Sequence, residues 1–311
     1  MKHAFVFPGQ GSQTVGMLAE ACEHWPIVRQ TFSEASDVLG YDLEDLCKNG
    51  PEEKLNSTAV TQPALLTCST ALWRQWAMGE SCQKPGFLAG HSLGEYSALV
   101  AAESLRFLDA VKLVRLRGEL MQNAVPEGQG RMAAILGLAD EEVQAACKEA
   151  AENQVVEAAN FNAPGQVVIA GNTAAVDRAI ALCKEKGAKR ALPLAVSVPS
   201  HCQLMRDAAE ELRKELEGMS FNDAVIPVVQ NVSASSVTDK DALRDNLVQQ
   251  LYSPVRWSES IQALSRYGVT HLVECGPGKV LSGLVKRIDR SMTCFGIETP
   301  EAMKAAIEAL S

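Results

Sequence analysis

No stretch of this 311-residue chain approaches the roughly 18 consecutive apolar residues of a membrane-spanning helix. The first segment, Met1-Lys2-His3-Ala4-Phe5-Val6-Phe7-Pro8-Gly9, breaks off too soon for a secretory leader, so a cytoplasmic protein is expected. Basic residues are in deficit: 29 Lys and Arg stand against 38 Asp and Glu, for a net charge of −9. A chain so charged lacks the basic field that would hold nucleic acid or an anionic membrane, and neither is expected as a partner. Histidine is scarce, and the five present (3, 24, 91, 201 and 271) never fall at His-x-x-x-His spacing. The nine cysteines form no Cys-x-x-Cys pair, and their odd number argues against a disulfide framework. They read mostly as small buried apolar residues, and no metal is expected.

What is present is the mixture of a soluble globular protein, 47% apolar and 22% charged, long enough for one large domain or two unequal ones. Short apolar runs alternate with helical periods, the pattern of an α/β protein. The strand-like runs are Ala4–Phe7, Phe87–Ala89, Val228–Val232 and His271–Cys275; helical periods cover Gln62–Met78, Leu93–Ala102, Phe107–Asn123, Cys202–Leu216, Asp239–Leu251 and Lys279–Ile288. Three strands run directly into glycine-containing turns: Pro8-Gly9-Gln10-Gly11, Gly90-His91-Ser92 and Gly276-Pro277-Gly278. Such carboxyl ends are where open α/β sheets bind ligands. The segment 126–196 differs, reading β-α-β-β-α-β, the order of a ferredoxin-like unit. A small subdomain at 126–196 is therefore expected, inserted into a large domain made of 1–125 and 197–311.

Gly90-His91-Ser92-Leu93-Gly94 satisfies Gly-x-Ser-x-Gly between an apolar strand and a helix, the context in which a sharp turn presents a serine as a nucleophile. The competing reading is a glycine-bounded turn whose serine caps the helix. A serine needs a base, and His201, at the mouth of a helix after Val198-Pro199-Ser200, is the best of the histidines. His91, beside the serine, is expected to turn away from the hydroxyl. Spacing does not choose between Gln250 and Asp207 as the group that orients the base. Two amides could stabilise an oxyanion, that of Leu93 after the serine and one from the Gly9-Gln10-Gly11 turn. Arg115 and Arg117 point in different directions on their helix, so at most one faces a site; spacing alone favours a surface arginine paired with a glutamate one turn away. Nucleotide-binding patterns fail at Gly9–Thr14 and at Gly276–Leu281, both of which lack the third glycine of the dinucleotide fingerprint.

Taken together the motifs resemble the acyltransferases that load carrier proteins, and among them the stand-alone bacterial malonyl-CoA:acyl-carrier-protein transacylases. The resemblance runs through eight segments in order: Phe5–Gln13, Thr61-Gln62-Pro63-Ala64, Gly90–Tyr96, Arg117-Gly118 with Met121-Gln122, Asn160-Phe161-Asn162 with Pro164-Gly165-Gln166, Val198–His201, Gln250-Leu251-Tyr252 with Pro254-Val255, and Gly276–Leu281. It implies an α/β-hydrolase-like large domain carrying a ferredoxin-like subdomain. It implies Ser92 as the acylated nucleophile, His201 as base and then acid, and Gln250 orienting His201 through its backbone carbonyl. The amides of Gln10 and Leu93 become the oxyanion hole. Arg117 becomes the binder of the malonyl carboxylate, and Gln62, Met121, Asn160 and Asn162 further substrate-binding positions. The implied partners are malonyl-CoA, coenzyme A and acyl carrier protein, with no cofactor, a monomeric state and a place in fatty-acid synthesis. Two basic clusters, Lys184, Lys186, Lys189 and Arg190, and Lys279, Lys286, Arg287 and Arg290, could meet an acidic carrier. A serine thioesterase or esterase, or a non-catalytic carrier-protein-binding or nucleotide-binding module, is the competing expectation.

Overall fold

A computed structural model describes residues 2–79, 83–196 and 198–311. Ten strands are present among them: β1 (His3–Phe7), β2 (Phe87–Gly90), β3 (Gly130–Leu136), β4 (Val156–Ala163), β5 (Gln166–Asn172), β6 (Arg190–Pro193), β7 (Val228–Val229), β8 (Ser236–Val237), β9 (His271–Glu274) and β10 (Thr293–Gly296). Six of them form one sheet in the order β10-β9-β1-β2-β7-β8, parallel except for the β7–β8 pair. Every residue of β1 is buried, which explains its unbroken apolar run: a parallel strand covered on both faces needs no alternation. Alternate side chains still go to different cores. Phe5 and Phe7 pack with the helices Thr58–Ala77 and Phe107–Asn123, and Phe5 meets Trp73 and Trp76 edge-on at 5.2 and 5.0 Å. Ala4 and Val6 pack on the other side with Trp257, Ile261 and Leu264.

The remaining four strands form a separate antiparallel sheet, β4-β5-β3-β6. Numbered within the segment that order is 2-3-1-4, and the two intervening helices, Asp140–Ala151 and Thr173–Glu185, complete the ferredoxin-like pattern. These elements lie between Gly130 and Pro193. One face of the small sheet (Ala133, Ile135, Val167, Ile169) packs on those helices. The opposite face presents Met132, Val168 and Ala170, which cluster with Cys202 of the large domain. The period of two in β3 and β5 thus gives one sheet two partners, its own helices and the large domain.

Sequence periodicity missed several elements. Residues 19–55 form four short helices (Ala19–His24, Pro26–Leu39, Leu43–Asn49 and Glu52–Leu55), and Trp257–Arg266 and Pro300–Leu310 are also helical. Ala19–His24, Leu43–Asn49 and Glu52–Leu55 are too short to show a period, whereas Pro26–Leu39, with Val28, Phe32, Ala35 and Leu39 on one buried face, carries a helical pattern of its own. The expected strand Val228–Val232 is only Val228–Val229, because the backbone turns back at once: Gln230 and Ser235 are hydrogen-bonded, and Ala234 takes φ 51°. Cys202–Leu216 opens with a 3₁₀ turn, Gln203–Met205, before the α-helix Arg206–Glu217. Of the eight cysteines described, seven are buried and Cys294 is half-buried, all as free thiols; Cys82 lies outside the described residues.

Candidate active site

The β1 and β2 strands are parallel neighbours with Phe7 opposite Gly90, so the turns that follow them meet at the carboxyl end of the central strands. Both glycines of Gly90-His91-Ser92-Leu93-Gly94 are dictated by space. A Cβ on Gly90 would lie 1.9 Å from the carbonyl carbon of Gly94, and one on Gly94 would lie 2.0 Å from the carbonyl oxygen of Phe7. The turn between them forces Ser92 to φ 52°, a conformation that costs an L-residue about 1–3 kcal/mol. The first turn is equally tight, since a Cβ on Gly9 would meet the His91 carbonyl oxygen at 2.3 Å. Close approach of the two turns places Gln10 and Leu93 on one cavity wall. Among the described residues no acceptor takes the amide of either.

His201 also has positive φ, 61°, and its ring bridges two partners. Nδ1 lies 2.7 Å from the backbone oxygen of Gln250, and Nε2 lies 2.7 Å from Ser92 Oγ. A carbonyl can only accept, so the proton sits on Nδ1, and Nε2 is left to accept from the serine hydroxyl. Burial, then the charge of Arg117, push the imidazole down to about 3. The ring is therefore neutral and able to take a proton at neutral pH. Asp207 is exposed on its helix and takes no part, which leaves the backbone of Gln250 as the orienting group.

Arg117 and Arg115 separate as their spacing requires. Arg115 is half-exposed and paired with Glu119 at 3.0 Å, whereas Arg117 is 1% exposed. Its Nη1 donates to Gln62 Oε1 at 2.8 Å; Nη2 donates to Gln250 Oε1 at 3.0 Å and to Ser92 Oγ at 3.3 Å. The guanidinium also lies over the Tyr96 ring, 5.3 Å from its centroid. Nε has no acceptor among the described residues, so a buried cation stands beside the nucleophile with donors to spare for an anionic ligand. Gly118 makes this possible. A Cβ there would lie 2.8 Å from both Ala59 Cα and Thr58 O, so glycine lets the Arg117 helix approach the Gln62 helix.

The cavity holds about 230 Å³ and is lined by Gln10, His91, Ser92, Leu93, Arg117, Met121, Asn160, Asn162 and His201, with Met132 and Val168 of the small sheet and Leu194, Val196, Val198 and Ser200, which follow β6. Gln62 does not reach it. Its amide is 1% exposed behind Arg117, with Nε2 toward Met121 Sδ at 3.6 Å, so it holds the arginine and is no wall of the cavity. Gln250 likewise stands behind the wall, its Nε2 donating to the Ser92 carbonyl at 3.0 Å. His91 makes no hydrogen bond to the hydroxyl among the described residues: its Nε2 and Asn162 Oδ1 lie 2.7 Å apart, joining the elbow to β4, and its ring meets Trp257 edge-on. A larger groove of about 1090 Å³ between the helix Asp140–Ala151 and the segment 252–262 contains none of these groups.

Two residues escaped the sequence reading. Asn231 is 1% exposed, with Oδ1 accepting from the Ser92 amide at 2.7 Å and Nδ2 donating to the Gly90 carbonyl at 2.6 Å. Glu95 is fully buried, accepts from the Asn231 amide at 2.6 Å, and is raised to about 8 by that burial. Glu95 was visible as a charge in an apolar helix, but nothing near Asn231 in the chain points to a serine 139 residues away. The third glycine turn is occupied from within: Glu274 accepts from the amides of Leu281 and Ser282 at 2.9 and 2.8 Å. That carboxylate fills the helix N-terminus a phosphate would need, against the nucleotide-binding reading.

Comparison with known proteins matches residues 4–294 to the acyl transferase domain family. The malonyl CoA-acyl carrier protein transacylase of Escherichia coli strain K12 is 58% identical over 305 residues, 98% of either chain. An acyl carrier protein S-malonyltransferase from Vibrio cholerae superposes with a TM-score of 0.96 at 56% identity, covering 98% of this chain and all of that one. A malonyl-transacylase solved in complex with its type II PKS acyl-carrier protein superposes at 0.98 with 53% identity, covering 99% of this chain and all of that one.

Proposed function

The chain belongs to the acyl transferase domain family, and from that premise we propose that it moves a malonyl group from malonyl-CoA to the phosphopantetheine thiol of acyl carrier protein. The observation that carries the proposal is the buried Arg117 guanidinium 3.3 Å from the oxygen of a serine already bonded to a neutral histidine. A hydrolase of uncharged esters has no use for a cation there, whereas a substrate ending in a carboxylate does.

In the first half-reaction Ser92 Oγ attacks the thioester carbonyl and its proton passes to His201 Nε2. The negative charge on the carbonyl oxygen is held by the amides of Gln10 and Leu93, and Arg117 holds the distal carboxylate. The tetrahedral adduct collapses, the carbon–sulfur bond breaks, and coenzyme A leaves with the proton from His201. In the second half the carrier's thiol loses its proton to His201 and attacks the malonyl-serine ester, and Ser92 recovers its hydrogen. Gln62 and Gln250 fix the guanidinium, and Met121, Asn160 and Asn162 bound the acyl group. Both substrates bring their own thiol, so the scheme calls for no cofactor and no metal. The reading includes a cytoplasmic monomer serving fatty-acid synthesis, with 126–196 as the subdomain that covers the site. Both basic clusters are exposed and available to an acidic carrier; charge reversal at each, read as a change in carrier KM, separates them.

The test is the intact mass of the protein after brief mixing with malonyl-CoA, acetyl-CoA or buffer, beside Ser92→Ala, with carrier protein added afterwards. A malonyl adduct that requires Ser92 and moves to the carrier thiol is the expected result. Coenzyme A release without a transferable adduct would replace the proposal with a thioesterase, and no reaction would return it to a binding module.

A further inference from the structure

The strained turn at Ser92 has three consecutive backbone amides, at residues 92, 93 and 94, and they have different fates. The Gly94 amide is taken by the His91 carbonyl at 2.9 Å, within the turn itself. The Ser92 amide is taken by Asn231 Oδ1 at 2.7 Å, from a segment far away in the chain. The Leu93 amide has no acceptor among the described residues, and Leu93 lines the cavity. The orientation of Asn231 is not open to choice. The Gly90 carbonyl can only accept and the Ser92 amide can only donate, so the side-chain nitrogen must face the first and the oxygen the second.

We infer that Asn231 is a positioning residue for Ser92. Its carboxamide bridges the two ends of the left-handed turn, holds the serine in its strained conformation, and engages the Ser92 amide so that the neighbouring Leu93 amide alone is presented from the elbow to an oxyanion. Asn231 is itself fixed from both sides of its backbone. Its amide donates to Glu95 Oε2 at 2.6 Å, and its carbonyl accepts from the Arg256 amide at 3.1 Å. Glu95 stands one residue beyond the elbow, at the start of the helix Gly94–Ala101, so elbow and clamp close a ring: Ser92 to Asn231, Asn231 to Glu95, Glu95 back along the chain to Ser92. The tight hairpin that cuts β7 short, with Ala234 at φ 51°, carries Asn231 to this place.

The inference rests on the proposed acyl transfer for its consequence, and its test is separable from that reading. Phenylmethanesulfonyl fluoride reports on the nucleophilicity of a serine and its oxyanion donors whatever the natural acyl group is. Asn231→Leu, close in volume and without either hydrogen bond, is expected to label at Ser92 about 10²-fold more slowly per folded molecule than wild type, the loss that follows a small misplacement of reacting atoms. Acylation by malonyl-CoA is expected to slow by a similar factor, with the malonyl-to-acetyl preference unchanged because Arg117 is untouched. Labelling within twofold of wild type, in a variant shown folded by its circular dichroism, would overturn the inference. Should the leucine variant not fold, hydrogen exchange in the wild-type protein decides. The Ser92 amide is expected to exchange at least 10²-fold more slowly than the Leu93 amide, and equal rates overturn the clamp. Wild-type protein that takes the sulfonyl group but no malonyl group would defeat the proposed substrate and leave this comparison intact.

Discussion

Arg117 and Gln62 meet at 2.8 Å because Gly118, the residue after the arginine, has no side chain. Two long helices, Thr58–Ala77 and Phe107–Asn123, come together at that glycine. The contact holds Nη1, while Nε has no acceptor among the described residues. Substrate choice in this protein therefore depends on how closely two helices pack as well as on the charge itself.

Replacing Arg117 by alanine should cut kcat/KM for malonyl-CoA by about 10²–10⁴-fold while raising the ratio of acetyl to malonyl turnover, because it removes a buried donor set that an uncharged acyl group leaves unpaired. Parallel kinetics with the two thioesters check this; equal loss on both would remove the arginine from substrate selection.

Gly118→Ala should act on the same property from outside the cavity. Its Cβ must displace backbone at 2.8 Å, an overpacking expected to cost about 1–3 kcal/mol and to spread the two helices. A lowered thermal midpoint together with a reduced malonyl-to-acetyl ratio is the expected pair of changes. A lowered midpoint with unchanged selectivity would show that the arginine tolerates the displacement.

The acid limb of activity should lie well below the ordinary histidine range. His201 is held down to about 3 in the free enzyme, first by burial and second by Arg117, so kcat/KM should not fall on acidification until the protein approaches that region or unfolds. A malonyl carboxylate bound to Arg117 offsets the second cause, so the limb in kcat should appear at higher pH than that in kcat/KM. Stability follows the same group with a definite sign. The folded pKa is below the unfolded 6.5, so the contribution is fully present above pH 6.5 and is lost as pH falls toward 3. Stopped-flow acylation between pH 4 and 8, and denaturant titrations over the same range, check the two limbs.

Glu95 acts on stability in the opposite direction. Burial raises it from 4.5 to about 8, so the folded state holds a proton that the unfolded state releases, and stability falls as pH rises between those values. Glu95→Gln retains an acceptor for the Asn231 amide and removes the titration. The variant should therefore gain on wild type steadily from pH 4.5 to 8 and no further above it. Chemical denaturation at several pH values measures the difference, and a pH-independent difference would show that Glu95 is not the titrating group.

The chemistry was legible in the chain wherever geometry is local. The elbow is a matter of five consecutive residues: no Cβ fits at Gly90 or Gly94, and the strand and helix flanking them have apolar patterns of their own. The small subdomain could be read from its order of elements because short apolar runs mark its strands, turn residues separate them, and each helix has a buried face. Whether Arg115 or Arg117 enters the site could not be read from spacing, since that depends on which side of the helix meets Gln62. The partner of His91 was likewise hidden, because Asn162 stands on a strand of the other sheet. Of the helices between residues 19 and 55, three are only one or two turns long and hold their shape by packing on the core, while Pro26–Leu39 has a periodic apolar face that was there to be read.

By itself, then, the sequence determined an α/β protein with an inserted subdomain, a serine presented at a strand–helix turn, and the residue types available to work with it. Spacing left open, and resemblance only implied, that His201 takes its orientation from the backbone of Gln250 and that Arg117 is the arginine of the site; tertiary structure decided both, and it alone placed Asn231 and Glu95 behind the elbow. The physical reason is range. A steric constraint between neighbours is written in consecutive residues, whereas a hydrogen bond between Ser92 and Asn231 spans 139 positions and exists only because parallel strands bring their ends together.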